Sequence, residues 1–317
     1  MRRLTSITSI ALGALVVTAI AVPAASAALA PAPRTIAAAT TRFLDRPQGR
    51  IAYDGTGPAS AELVVLVPGI GDLRQQYRFL VPTLVDAGYR VVTTDLRGLG
   101  ESSTGWDDYT GAATGSDVVA LLGELHAGPA HLIGQSNAAG AVVWAAAEAP
   151  ELVSSLTLIG PFVRDIPPAS FMDSALTWGM INVGLARPWG VGLWASYYQS
   201  LYPTARPADL DAYTAALQAN VAEKGRMEAV QAMMQAPKSA VEARLGQVHA
   251  PVLVIMGTRD PDFAGFLNGP EGEARYVADR LHGQVLLIEG AGHYPHAEMP
   301  EQVGPAIAQF LATQDGR

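Results

Sequence analysis

Six short runs rich in β-branched and aliphatic residues recur along the chain: Leu63 to Val67, Arg90 to Thr94, His131 to Gly134, Leu156 to Ile159, Val252 to Met256 and Val285 to Ile288. Helix-length stretches separate them, and no other feature narrows the fold as much. Strands that alternate with crossover helices build a mostly parallel sheet covered by helices. The segments Phe79 to Ala87, Gly115 to Leu125, Ala138 to Ala149, Glu273 to Leu281 and Pro300 to Thr313 have the length and periodicity of those helices. A leading hairpin that turns through Pro47-Gln48-Gly49 is expected over Arg42 to Asp54.

One interval breaks the rhythm, because about 90 residues separate Ile159 from Val252. This spacing predicts a helical lid over residues 166–240, inserted between late strands of a core made of 42–165 and 241–317. Within it Phe171, Ala175, Trp178, Ile181 and Leu185 follow helical spacing, as do Val191, Trp194, Tyr198 and Leu201, and then Leu210, Tyr213 and Leu217. The lid holds Trp178, Trp189 and Trp194. These aromatic residues either pack the lid onto the core or line an apolar substrate pocket, and Trp178 and Trp194 are the candidates for the second role.

Composition removes several functions. Half of the 317 residues, 49%, are apolar and only 16% are charged, so the chain can bury a full core. The net charge of −8 and the lack of a Lys and Arg cluster argue against a nucleic-acid partner. No cysteine is present, which excludes a cysteine nucleophile, a thiolate metal site and disulfide stabilisation. Arg2 and Arg3, the apolar run from Ile7 to Val22 and the small-residue site Ala25-Ser26-Ala27 read as an export signal over 1–27, cleaved before Ala28. The expected mature protein is secreted or held in the cell envelope without stable membrane association, an uncleaved anchor being the alternative. Residues 28–41, rich in Ala and Pro, read as a flexible lead-in.

The chemistry concentrates just past strand ends. His131 to Gly134 runs into Gly134-Gln135-Ser136-Asn137-Ala138 and then an apolar helix, the strand, sharp turn and helix of a nucleophile elbow. A serine hydroxyl needs a base, and the base needs an acid that fixes its tautomer. His293, in Glu289-Gly290-Ala291-Gly292-His293 after the last strand, is the base candidate, with His296 as competitor. Asp260, in Gly257-Thr258-Arg259-Asp260-Pro261-Asp262, is the acid candidate, with Asp262 and Asp165 as alternatives. A developing oxyanion requires two backbone N–H donors. Asn137, after the nucleophile, is one, and the loop Pro68-Gly69-Ile70-Gly71-Asp72 offers Ile70, with Gly71 second. His126, His131, His249 and His282 lack metal-like spacing and are expected at surface or turn positions. No metal and no nucleotide cofactor are expected, since no phosphate-binding glycine loop is present.

Taken together, the Pro68 to Asp72 loop, Asp95-Leu96-Arg97-Gly98-Leu99-Gly100-Glu101-Ser102, the serine elbow, the aspartate turn and Gly290-Ala291-Gly292-His293 resemble the α/β-hydrolase family over residues 43 to 312. The resemblance implies roles for Ser136, Asp260 and His293 as a triad, and for Ile70 and Asn137 as the oxyanion hole. The Asp95 to Ser102 loop is expected to be structural. A serine nucleophile disfavours dehalogenases and soluble epoxide hydrolases, whose nucleophile is aspartate. What remains is cleavage of a carboxylic ester or related acyl bond in a small apolar substrate. Carbon-carbon bond hydrolysis, cofactor-free perhydrolysis and a non-catalytic ligand receptor are the alternatives on the same fold. The oligomeric state is not legible.

Overall fold

The computed structural model describes residues 40–165, 171–186, 188–265 and 268–316, all within one compact unit. The export signal and nearly all of the lead-in lie outside the described residues. An antiparallel hairpin opens the fold, with β1 (Arg42–Arg46) and β2 (Gly49–Thr56) joined by Pro47 and Gln48, so that Arg46 faces Gly49. After it come β3 (Leu63–Val67), α1 (Leu80–Asp86), β4 (Arg90–Thr94), α2 (Gly111–Leu125), β5 (Ala130–Gln135), α3 (Ala138–Glu148) and β6 (Val153–Ile159). The inserted segment follows, with α4 (Phe171–Gly179), α5 (Gly190–Ser200), α6 (Leu210–Ala222), α7 (Arg226–Gln235) and α8 (Ser239–Glu242). The chain closes with β7 (Val252–Gly257), α9 (Gly269–Leu281), β8 (Gln284–Ile288), α10 (Pro295–Glu298) and α11 (Pro300–Gln314).

The eight strands form one sheet in the order β1-β2-β4-β3-β5-β6-β7-β8, parallel from β4 through β8. Side chains alternate between its faces. Val65 and Val67 of β3 join Leu132 of β5, Leu158 of β6 and Met256 of β7 against α2, α3 and α9. Val64 and Leu66 join Ile133, Ile159 and Ile255 against α1 and α11. Both faces are therefore buried, which is why the parallel strands read as continuous apolar runs rather than an alternation.

The order of strands also places the site. From β3 the chain crosses to β4 on one side, then returns to β5 on the other, so connections leave the carboxyl ends of β3 and β5 in opposite directions. A crevice opens at such a switch point. Here it lies between the loop after β3 and the turn after β5, which hold Ile70 and Ser136. No described helix is long and apolar enough to cross a membrane.

The inserted helices are anchored to the core by specific polar contacts. Arg78 makes a two-pronged pair with Asp209, at 2.6 and 2.7 Å, and Asn220 exchanges hydrogen bonds with both backbone groups of Gly100. Trp194, Tyr198, Leu217, Val221, Met227 and Val230 are buried. Trp178 departs from expectation: Ile181 and Leu185 of its proposed stripe are buried, but Trp178 is 62% exposed. A π turn over Met180–Gly184 explains the difference, since the wider turn advances the helical phase and puts residues on either side of it on different faces.

His131 is the other departure. Rather than a surface or turn residue, it is buried on β5, with Nδ1 2.8 Å from Ser155 Oγ and Nε2 3.0 Å from Asp315 Oδ1. His126 and His282 do occupy left-handed turns after helices, and His249 is exposed.

Candidate active site

Ser136 sits at φ +55°, a left-handed conformation that costs a non-glycine residue on the order of 1–3 kcal/mol. Neighbouring backbone holds it there. Its N–H donates to Ile159 O at 2.8 Å, and its carbonyl accepts from Phe162 N at 3.1 Å and Ala139 N at 3.1 Å. The strand and helix approach so closely around the turn that a Cβ on Gly134 would stand 2.6 Å from Ala138 O. This is the physical reason the elbow needs small residues on both sides of the serine.

The turn after β3 is closed by Asp72 N donating to Gly69 O at 3.3 Å, with Gly71 at φ +72°. A side chain at 71 would be strained and would also strike the Trp194 indole at 2.3 Å. The N–H groups of Ile70 and Asn137 have no hydrogen-bond partner among the described residues. Both residues line the cavity that holds Ser136, as two oxyanion donors must.

His293 follows β8 in a loop fixed by its N–H to Leu201 O at 3.1 Å. The imidazole is buried and its Nδ1 lies 2.7 Å from Asp260 Oδ2, so Nδ1–H donates to the carboxylate and Nε2 faces the cavity. Asp260 is itself oriented by Asp262 N, which donates to Oδ1 at 3.0 Å. Burial alone would lower the His293 pKa, but the Asp260 and Asp262 carboxylates outweigh it and raise it from 6.5 to about 9. No hydrogen bond joins the Ser136 hydroxyl to His293. Nε2 instead stands 3.6 Å from Asp262 Oδ2, and catalytic contacts of this kind commonly tighten only when substrate is bound.

The competing residues fall elsewhere. Asp165 accepts from the N–H groups of Lys238 and Ser239 at the start of α8, with no contact to His293. His296 is buried against Tyr77, its pKa pushed down to about 3 by burial, and has no acid beside it. Asp262 is close to His293 but on the Nε2 side, where Tyr197 Oη donates to both of its oxygens.

The cavity is about 210 Å³ and is shared between core and inserted helices. The core contributes Ile70, Ser136, Asn137, Phe162, Asp262, His293 and Tyr294, and the inserted segment Trp194, Tyr197, Tyr198, Leu201, Met234 and Lys238. Of the two tryptophans expected here, Trp194 lines the cavity and Trp178 does not. Lys238, Tyr197 and Phe162 were not anticipated. Nothing in their local pattern marks them, because they come together only when α5, the start of α8 and the loop after β6 pack over the sheet edge. Asp260, Asp262 and His293 have ligand atoms within 4.8 Å of one another, the spacing a cation would need. Their hydrogen bonds already make the acid and base pair. The Asp95 to Ser102 loop does structural work: Asp95 is buried and pairs with Arg74 at 2.5 Å.

Sequence and structure comparisons place the fold. A profile described as alpha/beta hydrolase fold matches residues 62–300. BpoC of Mycobacterium tuberculosis, provisionally named a non-heme bromoperoxidase, is 28% identical over 285 residues, covering 83% of this chain and 98% of its own. A 2-hydroxy-6-oxo-6-phenylhexa-2,4-dienoate hydrolase of Comamonas testosteroni is 28% identical over 281 residues, 82% of this chain and 91% of its own. The crystal structure of a hydrolase from Pseudomonas aeruginosa superposes with a TM-score of 0.72 at 22% identity, over 86% of this chain and 98% of that one. With a profile match across most of the chain and the same sheet, the protein belongs to the alpha/beta hydrolase fold family.

Proposed function

We propose that the protein is an exported serine hydrolase that cleaves a carboxylic ester or related acyl bond through an acyl-enzyme. The observation that carries this is the convergence of Ser136, in its strained turn, and the Asp260–His293 pair on one cavity. Ser136 Oγ attacks the acyl carbon as His293 Nε2 takes its proton, and the N–H groups of Ile70 and Asn137 stabilise the oxyanion. Collapse breaks the bond to the leaving group, which leaves with the proton from His293. Water, deprotonated by His293, then attacks the acyl-enzyme, and the acid product departs as the proton returns to Ser136. Asp260 holds the imidazole in the right tautomer throughout.

The apolar lining by Trp194, Phe162, Leu201 and Met234 suits a small apolar acyl group. One feature favours a second substrate class. Lys238 places an ammonium beside this lining, and the dienoate named for the Comamonas relative bears a carboxylate. Carbon-carbon bond hydrolysis of a carboxylate-bearing ketone is therefore the alternative. A panel of p-nitrophenyl esters, lactones and dienoate diketones, run with wild type and Ser136→Ala, separates them. Turnover of esters that is lost in Ser136→Ala supports esterase chemistry, and turnover confined to the dienoates would replace it. Export rests on residues 1–27, and N-terminal sequencing of protein from the culture medium should begin at Ala28.

A further inference from the structure

Asp72 is a buried carboxylate that the triad does not use. It is inaccessible to solvent, and among the described residues it makes no ion pair. The nearby guanidinium of Arg78 is held by Asp209 instead. Each Asp72 oxygen accepts one tyrosine hydroxyl: Oδ1 from Tyr213 Oη at 2.7 Å and Oδ2 from Tyr294 Oη at 2.7 Å. A charge kept in such a place costs stability that an apolar substitute would not, so packing alone does not account for it.

We propose that Asp72 is a positioning residue of the active site, whose two oxygens tie the oxyanion turn to the histidine loop through Tyr294 and to the inserted helices through Tyr213. This rests on the serine hydrolase function proposed above. The backbone N–H of Asp72 closes the turn on Gly69 O, so the residue that receives both tyrosines also sets the direction of the Ile70 amide. Tyr294 follows His293 directly, and the two rings meet edge to face with centroids 5.3 Å apart. Tyr213 lies on α6 and also accepts from Leu73 N at 3.3 Å. Hydrogen bonds to an ionised carboxylate are short and directional, which makes this junction stiffer than an apolar contact of equal area. The oxyanion donor, the base and the roof of the cavity thereby share one fixed point. Displacement of a catalytic group by about 1 Å lowers rate by up to roughly 100-fold.

Tyr213→Phe and Tyr294→Phe keep the rings and remove only the hydroxyls, so they test positioning without emptying the core, and Asp72→Asn removes the charge. The quantities to measure are kcat and KM on p-nitrophenyl acetate, the rate of fluorophosphonate labelling of Ser136, and the melting temperature. Each phenylalanine variant is expected to lose about tenfold in kcat and in labelling rate. KM should stay within about twofold and melting within a few degrees, a split that a merely structural role would not produce. Asp72→Asn should lose more than either. Phenylalanine variants that turn over and label at the wild-type rate would overturn the inference alone, as would losses that track the melting temperature. A wild type that is not labelled at Ser136 would overturn both the inference and the serine hydrolase mechanism.

Discussion

The sheet and the inserted helices are built from the same apolar residue types, yet they spend them differently. In the sheet, Val64 to Val67, Leu132 and Ile133, and Leu156 to Ile159 are all inaccessible, sealed between two helical layers. In the insert, Leu176, Trp178, Met180, Val183, Trp189, Leu193 and Tyr197 are exposed, seven of the nine large hydrophobic residues so exposed among the described ones. Only Phe43 and Val285 lie elsewhere. The strands thus form a frame whose carboxyl edge carries the proposed reacting groups, whereas the insert lines part of the cavity and leaves much of its apolar surface exposed. Chemistry should therefore be sensitive to the edge loops, stability to the sheet, and substrate selection to the insert.

The sharpest way to break this division is at the edge loops. Ser136→Ala or His293→Ala is expected to lower turnover by roughly 10⁴ to 10⁶, and Asp260→Asn by on the order of 10⁴, with folding retained. Steady-state kinetics with circular dichroism checks both. A severe loss in Asp262→Asn, with Asp260→Asn mild, would move the acid to the other side of the imidazole.

Next comes stability. Leu132→Ala removes a side chain buried at the sheet centre and should cost about 2–5 kcal/mol in denaturant unfolding, whereas Leu193→Ala on the exposed face of α5 should stay within about 0.5 kcal/mol. Equal losses would mean that the exposed face of the insert is packed in solution.

Substrate selection distinguishes the two tryptophans. Trp194 is 4% exposed and lines the cavity, so Trp194→Ala should raise KM for bulky apolar esters by roughly 10- to 100-fold, following a burial contribution of about 1.5 to 3 kcal/mol. Acetate esters should change less, and Trp178→Ala should leave both series unchanged. A chain-length-independent loss in Trp194→Ala would make that residue a packing element.

The smallest effect lies where insert and core meet. His293 must be neutral to accept the Ser136 proton, so with its pKa raised to about 9, kcat/KM should climb as pH rises through that region. Asp262, held by Tyr197 of α5, is one of the three carboxylates that raise it, after Asp260 and ahead of Asp72. Asp262→Asn should move the acid limb to lower pH. An unmoved limb would show that Asp262 does not couple to the base.

The same contrast explains what could be read from the chain. Strands β3 to β7 were legible because burial on both faces leaves apolar runs such as Leu63 to Val67, and the edge strand β8, exposed at Gln284 and Val285, was legible only from its aliphatic run. Ser136, Asp260 and His293 were legible because each stands within a few residues of a strand end. Asp72 with Tyr213 and Tyr294 was not, since its partners lie 141 and 222 residues away and no local pattern links them. In the insert, apolar residues on both helix faces blur the amphipathic stripe. The spacings through Trp194, Tyr198 and Leu201 and through Leu210, Tyr213 and Leu217 still mark buried faces, and only the stripe through Trp178 fails, where a π turn shifts the helical phase.

The proposed hydrolase function depends most on Ser136 being an activated nucleophile. Reaction with a fluorophosphonate, followed by peptide mass mapping, tests that directly. One adduct per chain on the peptide containing Ser136, absent in both Ser136→Ala and His293→Ala, is the predicted result. An unmodified wild type, or an adduct on another residue, would contradict it.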